Sequence, residues 1–209
     1  LRQAGFSGCT SNATFVNTVR DASGAVPSYA DFSDNVGGAD NMNGTDSYSR
    51  TPLAGTDVIE VRFSDPNSGC DIDSHNPSAA SIQCEANHEF KQGEILVVTD
   101  CTHTAVFQQS NTNNNNTISV IVHNVGGGSI TPGNCTKGLG TLLDCSTTNG
   151  TPYQFNNGTV LRMTFYRYYV ANNTLGEPAL YREAITNSSG TAGVSASELV
   201  EGIENMQIL

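Results

Sequence analysis

The chain has 209 residues, and its 9 Lys and Arg against 20 Asp and Glu give a net charge of −11. So acidic a surface repels nucleic-acid phosphates and anionic lipid headgroups, which need clustered cations, so neither is an expected direct partner. Charged residues are only 14% of the chain, and Asn, Thr, Ser and Gly fill the gap, which suits an exported, loop-rich β domain better than a helical cytosolic enzyme.

The opening Leu1-Arg2-Gln3-Ala4-Gly5 reads as the last turns of a helix whose earlier part lies upstream, with Gly5 to Gly8 interrupting it. Residues 1–20 are accordingly expected to be a helix end and linker, and residues 21–209 one β-rich globular domain. Asp21 to Gly55 is rich in Gly, Asp, Asn and Ser and predicts loops. Asp57–Phe63 alternates: Ile59, Val61 and Phe63 fall on one face, Glu60 and Arg62 on the other, as in a strand. Glu94–Asp100 is a short apolar run and predicts a central strand buried on both faces, with Thr104–Gln108 turning back beside it. Asn113 to Asn116 predicts a polar hairpin loop before a β-branched strand over Thr117–His123. Thr159–Val170 is the longest predicted strand, with Leu161, Met163, Phe165, Arg167 and Tyr169 alternating with Val160, Arg162, Thr164, Tyr166 and Tyr168. Ala179–Glu183 predicts a short strand. In Glu198–Leu209, Leu199, Val200 and Ile203 share a helical face before Met206 and Ile208 alternate, and the chain is expected to continue beyond.

Six cysteines include no Cys-x-x-Cys pair, so three disulfides and an oxidising compartment are expected instead of a zinc or redox site. Six cysteines allow 15 connectivities; two short loops, Cys70–Cys84 and Cys135–Cys145, would leave Cys9 to join Cys101. Asp100-Cys101-Thr102-His103 places a carboxylate, a thiol and an imidazole together. Catalysis there needs a free thiol within reach of the base, and a structural disulfide at Cys101 is the preferred reading. The other histidines are His75, His88 and His123. Asp65, Asn67, Asp71 and Asp73 alternate oxygen ligands as calcium loops do, but Gly69 is one position early and Asn76 stands where a bidentate Glu belongs. An Asp/Asn/Gly loop capped by a disulfide is preferred, and no cofactor is expected. The Asn-x-Ser/Thr triplets at Asn12, Asn43, Asn134, Asn149, Asn157, Asn172 and Asn187 arise from composition and imply no glycosylation. Tyr166–Tyr169 should be core on one face and sheet surface on the other, the surface side being a minor candidate for a carbohydrate platform.

Three stretches together resemble the PilW family of type IV pilus minor pilins, itself similar to the type II secretion minor pseudopilin J. They are Leu1 to Cys9; Gly55 to Arg62 with Gly93 to Cys101 and Ala105 to Gln108; and Ala179 to Arg182 with Glu198 to Leu209. The resemblance implies an α+β, pilin-like fold: a truncated N-terminal helix packed on antiparallel sheet and stapled by disulfides. It implies a non-catalytic subunit that co-assembles with other minor pilins in a tip complex, contacts the major pilin, and carries a tip adhesin. It also implies anchoring in the inner membrane by an upstream helix, with a periplasmic domain before assembly and a place on the pilus afterwards. A type II secretion pseudopilin, a free-standing adhesin or lectin, and a secreted hydrolase built on Cys101 and His103 are the alternatives.

Overall fold

The computed structural model describes residues 13–45, 48–112, 119–126 and 128–208. Among the described residues there are ten strands: β1 Thr14–Asn17, β2 Val36–Ala39, β3 Val58–Asn76, β4 Ser81–Cys84, β5 Ile95–Thr99, β6 His103–Gln108, β7 Val120–Val122, β8 Thr159–Asn172, β9 Pro178–Ser188 and β10 Thr191–Glu201. Among the described residues the helical elements are two single 3-10 turns, Ser28–Ala30 and Pro77–Ala79. The domain is therefore nearly all β, and the expected α+β fold with a helix packed on the sheet is wrong. Residues 1–12 lie outside the described part. The first described element is β1, which runs parallel to β6, and Val16 and Val19 are buried there. The helix expected over Leu199, Val200 and Ile203 is also absent. β10 runs through Glu201 with Leu199 as a bulge against β9, because cross-strand pairing outcompetes a three-residue helical pattern.

β8 is the centre of the sheet, whose order is β1-β6-β5-β8-β3-β4-β7. One edge of β8 pairs with β3 from Ile59↔Tyr168 to Asp71↔Thr159. Its other edge carries two strands in succession: β5 pairs with Thr159 to Arg162, and β9 with Tyr166 to Asn172. Between them Met163, Thr164 and Phe165 have no ladder partner on that edge, so the sheet forks. β10 hairpins onto β9 through Ser189 and Gly190, both with positive φ (49° and 92°), the two-residue turn that matches strand twist. Gly190 cannot be replaced cheaply, since a Cβ there would lie 2.6 Å from the Ser129 carbonyl oxygen.

The apolar run at β5 is buried at all five positions, as expected of a strand covered on both faces. On one side of it, β3 leaves the main sheet after Asp71 and pairs with β4, which pairs with β7. Ile72, Ile82, Phe107, Ile121 and Phe155 close a core there, stapled by Cys70–Cys84. On the opposite side the segment before β3 is laid across the sheet: Ala30 and Phe32 pack on Ile95, Val97 and Met163, and Met42 packs on Tyr169 and Tyr181. After β10 the chain returns to the start of β3, where Asp57 N–H donates to the Met206 carbonyl (2.9 Å) and the Asp57 carboxylate accepts from Ile208 N–H (2.7 Å) and Asn41 N–H (2.8 Å). These bonds hold the buried Asp57 carboxyl below the usual carboxylate range.

Candidate interaction surface

The Asp100–His103 cluster is a structural turn. Cys101 is disulfide-bonded, while Cys9, its expected mate, lies outside the described residues. Cys135–Cys145 is formed, like Cys70–Cys84. Asp100 Oδ1 accepts from the N–H groups of Thr102 (3.0 Å) and His103 (2.9 Å), and Oδ2 accepts from the Tyr153 hydroxyl (2.8 Å). The His103 ring is buried and engaged at both nitrogens: Nε2 donates to the Leu139 carbonyl (2.5 Å), and Nδ1 accepts from the Thr14 hydroxyl. The imidazole thus joins β6 to β1 and to the loop around Leu139, and neither nitrogen is left to act as a base.

The acidic loop proves to be an excursion of β3. Pro66 to Gly69 stand opposite the single residue Leu161, between the pairs Asp65↔Arg162 and Cys70↔Val160. Asp65 accepts from Asn67 N–H (3.0 Å), Ser68 Oγ accepts from Arg162 N–H (2.8 Å), and Asp71 accepts from the Thr159 hydroxyl (2.9 Å). Asp65, Asn67, Asp71 and Asp73 are spread along this strand edge, and among the described residues no group of three His, Cys, Asp or Glu side chains is placed to hold a metal. His75 and His123 instead form a buried pair beneath β4, with Nε2 to Nε2 3.0 Å apart.

The two faces of β3 are the reverse of what alternation predicts. Arg62 and Ser64 are buried, while Phe63 is 40% exposed. The reason is an ion network that alternation cannot report. Arg167 donates to Glu60 (2.7 Å) and to Glu183 (2.7 Å), and its guanidinium lies 3.9 Å over the Tyr48 ring. Arg62 pairs with Glu60 and donates to the Ser28 carbonyl (3.2 Å). Burial alone would lower the Arg167 pKa, but Glu60 and Glu183 outweigh it and raise it. Burial likewise opposes ionisation of Glu183, yet hydrogen bonds from Ser49 and Arg167 hold its carboxyl below the usual range. Arg167 sits in phase with Phe165 and Tyr169, and that phase was the sequence signal for this network.

With the ions inside, the opposite face of β2, β3, β8, β9 and β10 is left to solvent. Paired residues share a face, so one row runs Val36, Val61, Tyr166, Ala184 and Ser195. The next runs Ile59, Tyr168, Arg182 and Ser197, and Phe63 stands beside Thr164. Phe63 touches Tyr166 (centroids 5.9 Å) and Tyr166 touches Tyr168 (6.3 Å), with planes tilted 53° and 57°. The Arg182 guanidinium lies 5.0 Å over the Tyr166 ring. These rows carry no carboxylate, although the chain has 20; acidic groups stand at the rim, among them Asp65 and the Glu94–Arg162 pair. A cleft of about 210 Å³ at the fork, lined by Thr164, Tyr166, Ala184 and Asn187, opens at the same rim.

Residues 167–209 match the family model of Type IV Pilus-assembly protein W, PilW, and the expected resemblance holds over that segment. The matched segment is the second half of β8, β9, β10 and the returning C-terminal strap, so it supplies Arg167, Glu183, Tyr168 and Arg182. No curated protein and no solved structure matches the chain. The match points to a protein of type IV pilus assembly, with a pilus-associated, extracellular or periplasmic location. Among the described residues no helix is long and apolar enough to cross a membrane.

Proposed function

From a chain whose C-terminal meander is PilW-like, we propose that this domain is a minor pilin: a non-catalytic subunit that joins other minor pilins at a pilus tip. The match over residues 167–209 carries the reading. Its supports are physical. The matched segment builds a sheet and its exposed face. The one sequence candidate for catalysis has its thiol in a disulfide and its imidazole hydrogen-bonded at both nitrogens. Oxidised cysteines suit a domain that works outside the cytosol. In this role the other minor pilins and the major pilin are the partners, and a tip adhesin is the cargo.

Deleting the gene should sharply reduce surface pili counted by electron microscopy, with recovery on complementation by the wild-type gene. A His103→Ala variant that still folds should recover piliation too. Normal piliation in the deletion strain would defeat the pilin reading, whereas loss of function in a folded His103→Ala protein would reopen the enzymatic one.

A further inference from the structure

We propose that the carboxylate-free face of β2, β3, β8, β9 and β10 docks a second pilus subunit, whose contact surface sets a carboxylate among apolar side chains to pair with Arg182. This rests on the pilus reading above and names the surface through which it operates. Three observations select the occupant. First, the face combines Tyr, Phe and Arg with a lack of acidic groups, the composition of a protein–protein interface core and not of ordinary surface. Isolated exposed apolar residues need no explanation, but five adjacent strands presenting such a set do.

Second, Arg182 has no carboxylate partner among the described residues. Among the described residues the ion pairs are made by Arg62, Arg162 and Arg167, and Arg182 Nε is buried without a hydrogen bond. In a chain of net charge −11, an arginine that rests on Tyr166 and meets no acid is placed for an acid from elsewhere. Ser195 and Ser197 flank it on β10 and supply neutral hydrogen-bonding groups. Third, the tilts of Phe63, Tyr166 and Tyr168 break up any common plane, so the rings interdigitate with protruding side chains better than they stack on a flat sugar chain. The cleft at the fork accepts one such side chain at the rim.

The test places a photo-crosslinking residue at Phe63 in the full-length protein in piliated cells, with Leu142, 89% exposed and outside these rows, as the control position. Phe63 should yield an adduct with another pilus subunit, and Leu142 should not. The adduct peptide then identifies the partner carboxylate. Arg182→Glu should weaken binding to that subunit's purified domain by about thirtyfold or more, Arg182→Lys by less, and reversal of the partner's acid to Arg should restore binding to Arg182→Glu. Thermal melts of each variant guard against misfolding. Val61→Arg, a clash on the same face with Arg182 intact, should also abolish the adduct. Wild-type binding by folded Arg182→Glu would overturn the proposal, as would an adduct with a second copy of this chain. Binding to a glycan array that requires Tyr166 and Arg182, without any subunit adduct, would overturn it in favour of carbohydrate. If gene deletion abolishes pili while folded Arg182→Glu and Val61→Arg restore them fully, this surface is wrong and the pilin reading stands; normal pili after deletion removes both.

Discussion

Mild acid should loosen this domain chiefly through one pair of side chains, with the buried His88, also held below its ordinary value, adding in the same direction. His75 Nδ1 accepts from Phe155 N–H (3.1 Å), so its proton sits on Nε2 and is donated to His123 Nε2, 3.0 Å away. Both rings are therefore neutral, and a second proton would set two N–H groups against each other in the core. Burial pushes His75 down to about 4, and burial with the neighbouring His75 pushes His123 down to about 3. Both folded values lie below that of the unfolded chain, so the pair's contribution is complete above about pH 6.5 and is lost as pH falls toward the folded values. In that window the unfolded chain binds protons that the fold refuses, at about 1.4 kcal/mol per pH unit for each ring. From pH 7 to pH 5 the two rings together remove about 4 kcal/mol, a large share of the 5–15 kcal/mol typical of a domain. Urea unfolding at half-unit pH steps between 7 and 5 measures this above the range where carboxylates protonate. His123→Gln, whose amide oxygen can still accept from His75, should roughly halve the slope. A flat wild-type profile, or an unchanged slope in His123→Gln, would refute the reasoning.

Arg167→Ala strands Glu183 without a cation and leaves Glu60 to Arg62 alone, and should cost about 3–5 kcal/mol in urea unfolding. Arg167→Met with Glu183→Leu should cost less than the two single changes summed, because the charges leave together. Replacing Cys70 and Cys84 by Ser removes a staple with a sequence separation of 14 and should cost about 2–4 kcal/mol, read from the unfolding midpoint. Asp57→Ala removes the acceptor for Asn41 and Ile208, so hydrogen exchange should speed up at those two amides while amides in β5 keep their protection.

The strands that were legible in the sequence are those whose burial is decided locally. β5 is apolar from Ile95 to Val98 and β8 alternates, so both could be placed within two residues of their observed bounds. β10 was missed because Gly193, Ser195 and Ser197 lack a strand's composition, although Ser189-Gly190 before it is a hairpin signal. The inversion of β3 was beyond any pattern of one strand: Glu60 and Arg62 are inside because Arg167 on β8, Glu183 on β9 and Tyr48 in the preceding loop meet them there. The same network explains why the interaction surface could be read only in half, as a Tyr166–Tyr169 strand with two faces. That Phe63 joins Tyr166, and that Arg182 crosses over it, depends on strand order and register, which no single segment encodes. The helix at the start was expected from residues 1–9, all outside the described part. The helical reading of Leu199 to Ile203 weighed spacing without the long partner strand beside it.

The fork in the sheet and the excursion of β3 sit almost at the same level. Met163 to Phe165 lack a neighbour on one edge of β8, and on the other edge Pro66 to Gly69 loop away opposite Leu161. β8 runs unbroken through this level and β3 crosses it with its excursion, whereas β5 and β6 stop on one side of it and β9 and β10 lie on the other. The two parts share β3 and β8, and the fork on the other edge is bridged by the Asn187 side chain donating to the Gln92 carbonyl (2.7 Å) and by Thr131 N–H donating to the Gly190 carbonyl (3.0 Å). Opening the fork would break these hydrogen bonds as well as bend the β3–β8 ladder, so the fork is a closed seam and not a free edge.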